Sequence, residues 1–118
     1  MTQDNERDAG IALHKALDAK FAKDIVLMKI GEISPIADYF VIATGSSAPQ
    51  LQALTQTAEE VLKAHGLELK HTEGVRGGKW VLLDFGSVIV HLFDQESRDY
   101  YNLERIWGDA EIIDFRHN

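Results

Sequence analysis

Lys79-Trp80-Val81-Leu82-Leu83-Asp84-Phe85-Gly86-Ser87-Val88-Ile89-Val90-His91-Leu92-Phe93 contains two apolar runs rich in β-forming residues. Between them lies Gly86-Ser87, a pair suited to a two-residue hairpin turn. In that register Phe85 faces Val88, Leu83 faces Val90 and Val81 faces Leu92, so one face is wholly apolar and is expected to be core. The other face pairs Asp84 with Ile89, Leu82 with His91 and Trp80 with Phe93. Two arrangements satisfy this mixed face. Left uncovered, Trp80, Leu82, Ile89 and Phe93 form an apolar patch of the kind that marks a partner site. Otherwise another segment, such as the C-terminal tail, covers it.

Working outward from the hairpin, the same signals place the remaining elements. Leu13, Leu17 and Phe21 recur every four residues beside Ala9, Ala12 and Ala16, which predicts a helix over 6–21. Residues 24–29 and 38–44 are near-continuous apolar runs, expected as strands covered on both faces, with a break at Ser34-Pro35. Gly45-Ser46-Ser47 then leads into a helix over 48–65, with Ser47 as N-cap, Gln50 completing a capping box and Gly66 as the stop. Its apolar stripe comprises Leu51, Leu54, Ala58, Val61, Leu62 and His65. Leu67, Leu69 and His71 alternate with Glu68, Lys70 and Thr72 in a strand over 67–72, followed by a loop over 73–78. One or two short helices are expected over 95–106, then an irregular or extended tail with Ile112, Ile113 and Phe115. The order αββαβββα implies a single-domain α/β sandwich, with helices on one face of a mixed five-stranded sheet. That domain spans 1–118, with flexible ends at about 1–6 and 116–118.

Composition narrows the class. A chain of 118 residues, 45% hydrophobic and 26% charged, is sized for one core without staples. Cysteine is absent, which excludes disulfides and thiolate metal sites. No apolar run approaches the roughly 20 residues of a membrane span. The polar stretch Met1–Gly10 lacks the apolar core of a secretion signal, so a cytoplasmic protein is expected. Twelve Lys and Arg against nineteen Asp and Glu leave a net charge of −7. Phosphate neutralisation needs clustered cations, and Lys70, Arg76 and Lys79 are thin for that purpose, so no sequence-specific nucleic-acid binding is expected. An acidic chain suits a basic partner, although the same charge also serves solubility.

Little in the sequence calls for catalysis. A Gly-Ser turn before a helix can hold phosphate, and nucleotidyltransferases use one beside a strand bearing two carboxylates. Here the next strand offers Leu67-Glu68-Leu69-Lys70-His71, without the acidic pair of a two-metal site. A nucleotide-binding activity centred on Gly45-Ser46-Ser47 stands as the alternative to a binding protein. The five histidines, His14, His65, His71, His91 and His117, show no helical zinc spacing. His71 and His91 approach one another only if their strands are neighbours. Ser46, Ser47, Ser87 and Ser97 lack a nucleophile-elbow context. No catalytic residue, cofactor or metal is therefore expected. Trp80, Phe93, Tyr100, Tyr101 and Trp107 gather in the last third, and Trp and Tyr are frequent anchors of protein interfaces.

Three strings resemble the iojap or ribosomal silencing factor (RsfS) family. They are Asp38-Tyr39-Phe40-Val41-Ile42-Ala43-Thr44-Gly45-Ser46-Ser47 with Gln50, the hairpin Trp80–Gly86 with Val88–Phe93, and Arg98-Asp99-Tyr100-Tyr101-Asn102-Leu103-Glu104 with Trp107. The resemblance covers about residues 8–110, and Ser87 departs from the Asp expected in many relatives. It implies a nucleotidyltransferase-like topology without the catalytic carboxylates. It further implies binding to the large ribosomal subunit through ribosomal protein L fourteen, and steric blocking of subunit joining when nutrients are scarce. A role in large-subunit biogenesis and a homodimer belong to the same resemblance. Carried onto this chain, the partner-binding candidates are Trp80, Leu82, Asp84, Ile89, His91, Tyr100, Tyr101 and Trp107, with Trp80 and Leu82 first. The i, i+3, i+7 spacing of Tyr100, Leu103 and Trp107 assigns some of these to the core.

Overall fold

A computed structural model describes residues 2–74 and 79–113, with side chains from Asn5 onward. The Arg76-Gly77-Gly78 loop, Phe115 and His117 lie outside the described residues. The elements are α1 (Thr2–Ala19), β1 (Lys23–Lys29), β2 (Tyr39–Thr44), α2 (Ala48–Ala64), β3 (His71–Glu73), β4 (Trp80–Asp84), β5 (Val88–Phe93), α3 (Gln95–Tyr101), α4 (Leu103–Ile106) and β6 (Glu111–Ile112). One sheet runs in the order β3-β4-β5-β2-β1-β6. It is mixed: β2 and β5 are parallel, and the other neighbours are antiparallel.

The expected hairpin register holds pair by pair, from Trp80 opposite Phe93 to Asp84 opposite Ile89. Phe85 N–H donates to the Val88 carbonyl across the turn, where Gly86 has φ +84°. That value suits glycine, because a Cβ there would crowd the backbone. Every residue of β2 is buried, as its unbroken apolar run predicts for a strand covered on both faces.

The first core lies between the sheet and the pair α1–α2. Leu13 and Leu17 of α1 and Leu51, Leu54, Ala58 and Leu62 of α2 pack on Leu27, Val41, Val81, Leu83, Val90 and Leu92. A second core occupies the opposite face, where Met28, Phe40, Ile42 and Phe93 meet Leu103, Trp107 and Ala110. The helices are thus not confined to one face: α4 and the turn after it cover part of the other.

Three other elements depart from expectation. The third strand is confined to 71–73, because extending it backwards past His71 would bring it opposite the Gly86 turn, which offers no ladder partner. Lys70 N–H still reaches the Asp84 carbonyl at 2.8 Å, and Leu67 and Leu69 pack on the core without joining the ladder. Glu111 and Ile112 add a sixth strand opposite Lys29 and Met28, and Ile113 N–H donates to the Leu27 carbonyl. The third departure is at the end of α1. Phe21, expected on its apolar stripe, lies beyond the helix with φ 66° and is 82% exposed.

The hydrogen bonds explain that reversal. Ala22 N–H closes on the Leu17 carbonyl and Phe21 N–H on the Asp18 carbonyl, so Phe21 holds the left-handed position that glycine usually takes at a helix end. Ala22 is buried in its place. Phe21→Gly is expected to stabilise the fold by about 1 kcal/mol, since it removes left-handed strain and no packing. Urea unfolding measures this, and a lower midpoint would show that the ring makes a stabilising contact.

Candidate partner-binding face

Alternation along β4 sends Val81 and Leu83 into the first core and Trp80, Leu82 and Asp84 to the opposite side. Ile89, His91 and Phe93 of β5 lie on that same side, directly across from Asp84, Leu82 and Trp80. Trp80 stacks on Phe93 with ring centroids 5.1 Å apart, and Tyr101 approaches to 4.5 Å from α3. Tyr100 meets Tyr101 edge-on at 5.0 Å. From the other end, Trp107 meets Phe40 edge-on at 5.6 Å, and Phe40 meets His91 at 4.8 Å. The rings Trp107, Phe40, His91, Trp80, Tyr101 and Tyr100 therefore run as one band across the sheet and onto α3.

Exposure divides the band. Tyr100 and Tyr101 are exposed, Trp80, Leu82 and Ile89 are half-buried, and His91 is 4% exposed. Trp107 is half-buried against Phe40, so it belongs chiefly to the second core. Asp84 is half-buried, and its Oδ1 accepts from Gly86 N–H at 2.7 Å, which fixes the hairpin turn. Both arrangements left open by the sequence are thus realised in part. The turn after α4 covers the Phe40 end, while the hairpin end keeps an apolar and aromatic surface.

His91 lies beneath that surface. Trp80 Nε1–H donates to His91 Nδ1 at 3.2 Å. Burial depresses the His91 pKa from 6.5 to about 4, because the charged imidazolium would sit among aromatic rings. The unfolded chain takes up this proton more readily than the folded one. The contribution of the neutral histidine is therefore intact above pH 6.5 and is lost progressively as the pH falls from 6.5 through 4. Stability is expected to drop by up to about 3 kcal/mol across that window. Denaturant midpoints taken every half pH unit test this, and His91→Leu should flatten the slope.

The sequence did not single out Arg98 as a structural residue. It is 6% exposed on α3. Its Nη1 donates to Thr44 Oγ1 at 2.8 Å, and its Nη2 donates to the Asp24 carbonyl at 2.7 Å and to Glu104 Oε2 at 2.9 Å. One guanidinium thus ties α3 to β1, β2 and α4 and sets where Tyr100 and Tyr101 sit relative to Trp80. An arginine in a polar helical turn carries no signal of its two distant acceptors, Thr44 and Asp24.

In the Gly45-Ser46-Ser47 turn, the Ser46 N–H and both serine hydroxyls are engaged by Gln50. Ser47 caps α2 by accepting from Gln50 N–H at 3.1 Å. Gln50 Oε1 does not reach back to the cap residue itself, as a capping box would have it, but accepts from the Ser46 N–H and hydroxyl. Its Nε2 donates to the Lys20 and Phe21 carbonyls at the end of α1. The oxygen of Gln50 thus takes up two donors of this turn, the Ser46 N–H and hydroxyl. His71 faces Glu73 at 3.3 Å, and β4 separates it from His91. Among the described residues no group of three or more His, Cys, Asp or Glu could hold a metal ion. Nor is any described helix long and apolar enough to cross a membrane.

The family model for ribosomal silencing factor during starvation matches residues 3–118. The chain belongs to the ribosomal silencing factor family. The Halalkalibacterium halodurans ribosomal silencing factor RsfS is 42% identical over 99 residues, covering 84% of this chain and 85% of the relative. A crystal structure of a Chromobacterium violaceum protein superposes with a TM-score of 0.81 at 31% identity, covering 93% of this chain and 91% of that one. A mouse protein named for mitochondrial assembly of the ribosomal large subunit is 33% identical over 89 residues, which is 73% of this chain and 39% of the mouse protein. Membership in the silencing factor family accounts for the three strings that carry the resemblance. The mixed α/β sandwich is the architecture shared with the Chromobacterium violaceum protein.

Proposed function

We propose that this silencing-factor chain binds the large ribosomal subunit through the Trp80 face and prevents the small subunit from joining. The observation that carries the reading is the match of almost the whole chain to the silencing-factor family. The name of the mouse relative points the same way, toward the large subunit and its assembly. On the hairpin face, Trp80, Leu82 and Ile89 offer half-buried anchors, and Tyr100 and Tyr101 extend them outward. Aromatic anchors of this kind dominate the binding energy of protein interfaces. A net charge of −7 favours encounter with a basic partner, and ribosomal protein L fourteen is the proposed contact. Binding is steric and non-catalytic in this reading, and it lowers translation when nutrients are limited. A homodimer using part of the same face would compete with the ribosome-bound state. A nucleotide at the Ser46 turn, by contrast, would have to displace Gln50 Oε1.

Cosedimentation of the purified chain with isolated large subunits, isolated small subunits and assembled ribosomes tests the reading. Selective binding to free large subunits, with fewer joined particles when small subunits are added afterwards, is the expected result. Binding to no particle, or equal binding to all three, overturns it.

A further inference from the structure

We propose that His91 is a positioning residue of the partner-binding face, holding the Trp80 indole in the pose it presents without touching the partner itself. The proposal rests on reading Trp80 as a partner contact. At 4% exposure, His91 cannot reach a docked surface, which separates it from the neighbouring half-buried residues. Its Nδ1 accepts the indole N–H at 3.2 Å, so the proton of the neutral ring is on Nε2. Nε2 is buried and has no hydrogen-bond partner among the described residues. A buried donor left unpaired is destabilising, and an apolar side chain at this position would avoid that cost. What the imidazole supplies, and leucine cannot, is an acceptor for Trp80.

That acceptor matters because ring contacts alone do not choose a pose. Trp80 packs on Phe93 and Tyr101, and such contacts tolerate either face of an indole. The bond to Nδ1 selects one. Fixing the ring before the partner arrives reduces the ordering cost of binding. Burial supports the same role, since it keeps the imidazole neutral and Nδ1 free to accept.

Two variants separate this role from a merely structural one. His91→Leu removes the acceptor, whereas His91→Asn keeps an oxygen close to the Nδ1 position. Three quantities are read: affinity for isolated large ribosomal subunits, the Trp80 indole N–H resonance in the free protein, and the thermal midpoint. For His91→Leu, affinity is expected to fall about three- to tenfold. Its indole N–H should shift and exchange faster with solvent, and its midpoint should equal or exceed that of the parent. His91→Asn should stay near the parent in affinity and in indole shift. If affinity and midpoint fall together in both variants, the residue is structural and the proposal is overturned. Lost affinity in Trp80→Ala with unchanged affinity in His91→Leu overturns this proposal alone. Unchanged affinity in Trp80→Ala removes the parent reading and this proposal with it.

Discussion

Replacing Trp80 with alanine is expected to lower affinity for large ribosomal subunits by roughly 30- to 1,000-fold, the range that corresponds to loss of a central aromatic anchor. Trp80 stands where the band of rings reaches the surface. Phe93 lies below it at 5.1 Å, Tyr101 beside it at 4.5 Å, and its N–H is held by His91. Truncation removes the apolar anchor and also the support against which Tyr101 leans, so the loss should exceed that of any neighbour. Trp80→Phe keeps a ring but not the indole N–H and should fall between the two. Quantitative pelleting with labelled protein measures the change, and circular dichroism establishes that the variants are folded. A folded Trp80→Ala variant that pellets like the parent would move the contact away from the hairpin.

Arg98→Met is expected to cost about 3 kcal/mol of stability, the low end for breaking a buried charged network. The substitution leaves Thr44 Oγ1 and the Asp24 carbonyl without this donor, and it frees α3 from the two strands it grips. The cost stays near the low end because the Glu104 side chain is 35% exposed and water can take over its carboxylate. A fall of roughly 10–20 °C in the melting midpoint is the corresponding shift for a domain of this size. Arg98→Lys should recover only part of it, since an ammonium lacks the planar fork that spans three acceptors. A midpoint within about 2 °C of the parent would mean that the three acceptors find other donors, and that α3 is held by packing instead.

These two residues differ in how far the sequence exposed them. Trp80 was legible because β alternation is strict: with the Gly86-Ser87 turn in place, every side chain from 80 to 93 is assigned to one face or the other. Arg98 was not, because two of its three acceptors lie 54 and 74 residues away in the chain. Asp84 shows an intermediate case. Its position on the mixed face was readable, but its bond to Gly86 N–H depends on the shape of the turn.

Local patterns by themselves determined the hairpin register, the strands at 24–29 and 38–44 with the burial of the second, the Ser47 cap, the Gly66 stop and, through three ordered strings, the family. These are properties of neighbours in sequence, where period, turn chemistry and capping act over a few residues. Only the tertiary structure decided that Phe21 faces outward, that Glu111 and Ile112 form a sixth strand, that α4 and the turn after it cover part of the second face, and that His91 lies under Trp80 rather than beside it. In each case the outcome depends on which distant segment reaches a given surface. An apolar side chain supplies the same periodicity whether or not a partner segment arrives to cover it, so periodicity alone leaves that choice open.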